Sequence, residues 1–102
     1  MYTLENLEKD IDNINKELKA IRLDRGKRYG DKEDTLANVR EADPDKSYRA
    51  AYIAAYECLR RIKNVFDVPI DEIDMAGFEN ATDDLINYAY YIKILFRQRR
   101  QR

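Results

Sequence analysis

Apolar residues recur along this chain at steps of three and four, the period of a helix with one side turned toward a core. The clearest run is Asn80 to Phe96, in which Ala81, Leu85, Tyr88, Ile92 and Leu95 line one side. Beside that stripe Asn80, Asp84, Asn87 and Tyr91 repeat at steps of four, three and four. A line of polar groups therefore sits on the shoulder of the buried face. A carboxylate placed there is partly shielded from water, and a shielded carboxylate takes a hydrogen-bond, cation or metal partner.

At the other end of the chain Leu4, Leu7, Ile11, Ile14, Leu18 and Ile21 alternate steps of three and four without a break. That is the a/d seam of a coiled coil, and it predicts a first helix over about 3–23, with Thr3 as its N-cap and Gly26 as its stop. A seam this narrow needs one close neighbour, which is either the next helix of a hairpin or a second copy of the chain. The pattern breaks from Asp24 to Lys46. The run Lys27-Arg28-Tyr29-Gly30-Asp31 reads as a basic, aromatic turn, Lys32 to Ala42 as a short polar helix, and Pro44 as a barrier to any continuation.

Ser47 opens a second long helix, expected over 47–66, whose stripe is Tyr48, Tyr52, Ala55, Leu59, Ile62 and Phe66, widened by Ala51 and Cys58. Asp67-Val68-Pro69 closes it, and a single helical turn fits between Pro69 and Gly77. The third long helix is expected over 80–97 with Asn80 as its cap, followed by a basic tail over 97–102. The fold expected is all-α: one helical domain over residues 1–102, built from three long helices and one or two short ones.

Composition narrows the chemistry. The chain has 102 residues, 38% of them charged, with three Gly and two Pro, which suits a helical globule with charged outer faces. The net charge of −1 argues against a nonspecific nucleic-acid coat. It is unevenly spread: four arginines fall in the last six residues, leaving −5 over the 96 before them. A lone cysteine, Cys58, permits no internal disulfide and reads as a small buried thiol. With no histidine, neither a serine triad of the usual kind nor a zinc site is open. Any metal chemistry would rest on Asp, Glu and Asn oxygens, which means magnesium, manganese or calcium before zinc. No apolar run approaches a membrane span and no signal peptide opens the chain, so the expected setting is the cytoplasm, inside a host cell.

Three groups could carry a site. The turn Lys27, Arg28, Tyr29, Gly30, Asp31 offers backbone amides and two cations to an anion, or is simply a solvated turn. Arg60, Arg61 and Lys63 could meet phosphate oxygens, or form a solvated face paired with Glu57 and nearby acids. On the third helix, Asp84 could hold a divalent cation with Asn87 as a neutral oxygen ligand, or the two could tie that helix to Arg61 or Lys63.

The runs Lys27-Arg28-Tyr29-Gly30-Asp31, Leu59-Arg60-Arg61-Ile62-Lys63 and Asp84-Leu85-Ile86-Asn87-Tyr88-Ala89, in that order, resemble the "nucleotide modification associated" domain found largely in phages. The resemblance spans about Leu23 to Leu95. It makes Tyr29, Gly30 and Asp31 the family turn, Arg61 its arginine, and Asp84, Asn87 and Tyr88 its last-helix motif. Glu57-Cys58 stand where that family has an Asp-Lys pair, and Ala54 where it has a further arginine. The layout is also similar, more distantly, to all-helical nucleoside-triphosphate pyrophosphatases of the MazG type. There Asp84 would be a magnesium ligand, but Ala81 occupies the position of its glutamate partner.

Together these readings imply a small viral or prophage accessory protein that binds a nucleotide or nucleic-acid phosphate and serves nucleotide or DNA-modification metabolism. Arg61 and Lys63 would meet phosphate, the Tyr29–Asp31 turn would close over it, and Asp84, Asn87 and Tyr88 would complete the site. The alternative is a helical interaction module without a small-molecule site, dimerising or docking on a host protein through the seam of the first helix. A magnesium-dependent nucleotide hydrolase is the minority reading.

Overall fold

Three long helices and one 3-10 turn make up the described residues of the computed structural model, 1–29 and 47–101, with no strand among them. Side chains are described for 1–24 and 48–101. The all-α class follows directly from the period of the apolar residues. The chain divides into two compact units, Met1–Thr35 and Leu36–Arg102.

The first unit holds α1, Leu4–Tyr29. Thr3 caps it as its position suggests: Thr3 Oγ1 accepts from the Asn6 backbone N–H at 3.1 Å. Tyr2 reaches back along the first two turns to donate its hydroxyl to Asp10. This bond, with burial and the carboxylate charge in support, holds the Tyr2 hydroxyl above its usual pKa. Leu4, Leu7, Ile11 and Ile14 are 40–72% exposed, whereas Leu18 is fully buried. Gly26 does not end the helix. No described glycine adopts the left-handed conformation that a glycine stop requires. A glycine inside a helix costs only about 1 kcal/mol relative to alanine, and the cations after it favour a helix C-terminus. The helix therefore runs on through Lys27 and Arg28 to Tyr29, so these three residues are helical and not a turn. Gly30, Asp31 and the short helix expected over 32–42 lie outside the described residues.

The second unit holds α2, Ser47–Lys63, and α3, Met75–Arg100, joined through a 3-10 turn at Ile70–Glu72. Past Lys63 the backbone tightens to three-residue spacing, with Val65 N–H on Ile62 O at 3.2 Å and Phe66 N–H on Lys63 O at 3.1 Å. Regular helix thus stops three residues short of the expected Phe66.

The third helix begins five residues before the expected Asn80. Its cap is Asp74, whose carboxylate accepts from the Gly77 N–H at 3.1 Å. Gly77 makes that cap possible, because a Cβ built there would sit 2.6 Å from Asp74 Oδ2. The glycine read as a boundary is part of the first turn.

The stripe expected on α2 holds in part. Its Ala51, Ala55 and Cys58 are buried and its Tyr48 and Ile62 partly so, as is Val65 beyond the helix, while Tyr52 is 60%, Leu59 50% and Phe66 73% exposed. The three exposed residues recur every seven positions along one border of the expected stripe, so the buried face is rotated toward its small residues. The helix packs through its small side chains. On α3 the expected stripe holds, with Ala81 and Leu95 buried and Leu85, Tyr88 and Ile92 partly buried.

The two helices run antiparallel. At the start of α2 the Tyr48 ring meets Phe96 edge-on, centroids 5.8 Å apart, and Arg99 lies over the same ring while donating to its hydroxyl at 3.2 Å. Near the end of α2, Arg61 meets Asp84. These contacts lie about 20 Å apart along the hairpin, at 1.5 Å per residue.

Candidate functional site

The three cations at the end of α2 have separate fates. Arg60 pairs with Glu57 one turn back, its Nη1 at 3.1 Å from each carboxylate oxygen. Both side chains are more than half exposed, so this is a solvated pair of small energetic weight. Lys63 is exposed. Arg61 alone turns to α3: its Nη2 lies 3.6 Å from Asp84 Oδ2 and 3.2 Å from the buried Cys58 sulfur.

The surroundings of this contact are graded. Arg61 is 53% exposed and Asp84 only 19%. One turn along α3, Asn87 is 4% exposed, the sole polar residue among the buried ones described. No buried side-chain nitrogen or oxygen among the described residues lacks a hydrogen-bond partner, so the polar shoulder is satisfied and not strained. Next on that shoulder Tyr91 is partly buried, its ring edge-on to Tyr88 at 6.0 Å. Asn80, at the other end, is exposed.

The hydrogen bond to the Cys58 sulfur holds the Arg61 pKa above its ordinary value, against desolvation by burial and with a lesser contribution from the Asp84 carboxylate. Arg61 is therefore a cation at every working pH. Both contacts engage Nη2, and the side chain as a whole is still more than half exposed. Chemically this is a half-exposed arginine braced by a thiol and a shielded carboxylate. A guanidinium so placed can donate to a phosphate or carboxylate oxygen.

Of the sequence-predicted site residues, Arg61 and Asp84 come together, with Asn87 and Tyr88 on the following turn of the same helix. Lys27, Arg28 and Tyr29 belong to the other compact unit. Among the described residues no group of three or more acidic or cysteine side chains converges to hold a metal ion. Asp84 instead meets a guanidinium. Two features escaped the sequence reading. Cys58 as acceptor for Arg61 was visible as a three-residue step, whereas the Tyr48–Arg99 contact joins positions 51 residues apart and left no local signal.

No protein-family model matches the chain, and no curated protein or solved structure shows significant similarity to it.

Proposed function

We propose that the hairpin of α2 and α3 binds a nucleotide or nucleic-acid phosphate through Arg61, as part of a small viral or prophage accessory protein in nucleotide or DNA-modification metabolism. One observation carries the phosphate reading: the Arg61 guanidinium is braced by Asp84 and Cys58 yet remains 53% exposed. An arginine fixed in this way loses less freedom when it binds, which favours affinity. The nucleotide part of the proposal rests on the ordered resemblance of the Arg61 and Asp84–Tyr88 segments to the phage domain described above.

Thermal unfolding with nucleoside mono-, di- and triphosphates, with and without magnesium, tests this. A ligand at 100 times its dissociation constant adds about 2.7 kcal/mol. Arg61→Gln should erase the shift. Stability unchanged by every nucleotide would remove the proposal.

A second reading is a helical interaction module without a small-molecule site, and exposed apolar residues favour it. Leu4, Leu7, Ile11 and Ile14 on α1, Tyr52, Tyr56 and Leu59 on α2, and Phe66 just beyond it are all at least 40% exposed. Light scattering separates the two readings. A dimer that Leu7→Lys with Ile11→Lys converts to monomer, indifferent to nucleotides, supports the second; a monomer stabilised by nucleotide supports the first.

A further inference from the structure

Every acidic residue of this chain lies at or before Asp84, and residues 85–102 carry five cations and no acid. Within that stretch Lys93, Arg97 and Arg100 stand at steps of four and three on α3, and all three are exposed. They form one row spanning about 10 Å of helix axis. An open depression lined by Arg97, Arg100 and Gln101 marks its far end, and Tyr90, 41% exposed, stands one turn before Lys93. On a helix surface a cation is paired from positions three and four away. Here the positions before the row are Ala89, Tyr90 and Lys93, so α3 has no carboxylate to neutralise it.

The same helix end is held in place from its other side. Arg99 lies over the Tyr48 ring at 5.6 Å and donates to its hydroxyl, while Phe96 packs edge-on against that ring. Leu95 beneath is fully buried. The last turns of α3 are thus docked on α2, and the row is presented on a fixed rod.

We propose that Lys93, Arg97 and Arg100 form a nucleic-acid backbone contact, separate from the Arg61 site and independent of base sequence. Three cations in register along a helix, with tyrosine and glutamine beside them, match a line of phosphates. A lipid surface would call for large apolar side chains fully exposed along the same row, whereas the flanking Tyr90, Ile94 and Phe96 are only 41%, 42% and 46% exposed. The acidic remainder of the chain turns other surfaces away from a polyanion, which favours approach by this end.

The test is fluorescence anisotropy of a labelled 20-base-pair duplex and its single strand between 50 and 200 mM salt. The wild-type chain should bind both, with affinity falling as salt rises. Replacing all three residues, as Lys93→Gln, Arg97→Gln and Arg100→Gln together, should weaken binding about tenfold or more at low salt. It should also reduce the salt slope by about two to three, given roughly 0.9 per neutralised phosphate on a duplex. Circular dichroism verifies the fold. If the triple variant is unfolded, the single variants serve instead, each lowering the slope by about one. Arg97→Lys with Arg100→Lys should retain the wild-type slope.

The triple variant should keep the thermal shift with free nucleotides that the Arg61 site predicts, so loss of nucleotide binding and loss of this contact are separable. An unchanged slope in the triple variant would overturn the proposal. So would absence of DNA binding in the wild type, or binding only to vesicles of phosphatidylcholine and phosphatidylserine.

Discussion

The two ends of the α2–α3 hairpin are built from opposite charge. From Asn64 to Asp84 the chain carries seven acids and no cation; from residue 85 onward it carries five cations and no acid. For α3 this order matches the helix macrodipole, with carboxylates near the N-terminus and guanidiniums near the C-terminus. Because α2 runs the other way, its last turn, with Arg60, Arg61 and Lys63, falls at the acidic end. That end therefore meets cations from its neighbour, and Arg61–Asp84 is the cross-link. The opposite end receives no acid from the start of α2. Arg99 closes it on the face of Tyr48. Among the described residues, one end is joined by charge and the other by aromatic and apolar contact.

The comparison can be broken most severely at the basic end. Leu95 is fully buried there, so Leu95→Ala should cost about 2–5 kcal/mol by chemical denaturation. A loss below 1 kcal/mol would mean that this end is not held by apolar packing. Tyr48→Leu removes the edge-on contact with Phe96 and the cation–π contact with Arg99. These are worth about 0.5–1.5 and 0.5–1 kcal/mol, so about 1–2 kcal/mol should be lost, nearly the same in high salt.

At the acidic end the effects are smaller. Asp74→Ala removes the N-cap of α3 and should cost about 1 kcal/mol, with faster amide exchange in the first turn, at Gly77 and Phe78. Gly77→Ala should nearly cancel, because better helix propensity offsets a cap pushed out of place. The smallest effect is expected at Arg61. Its pair with Asp84 is more than half open to solvent on the arginine side, so a double-mutant cycle with Arg61→Gln and Asp84→Asn should give a coupling of about 0–1 kcal/mol that shrinks in 1 M salt. A coupling of 2 kcal/mol or more that ignores salt would make the two ends alike and assign Arg61 a mainly structural part.

Much of the candidate site was legible in the residues. A polar shoulder of Asp84 and Asn87, and a cation on α2 able to reach it, follow from spacing alone, and Arg61 does meet Asp84. Spacing left Arg61 and Lys63 both open as the residue that makes the contact. These residues differ by 100° steps around α2, so the answer turns on which face of α2 is buried. The expected face included Ala51, Ala55 and Cys58, which are buried, but was too wide on the side of Tyr52, Leu59 and Phe66, which are exposed.

What the sequence by itself determined is the helical class, the Thr3 cap, the end of regular α2 before Pro69 and the buried stripe of α3. Each rests on interactions between residues a few positions apart, and such interactions leave a local pattern. Tertiary structure decided the rest. It chose small side chains over large ones as the packing face of α2 and set Arg99 on Tyr48, 51 residues away. Both depend on contact with a distant segment, which leaves no pattern among near neighbours.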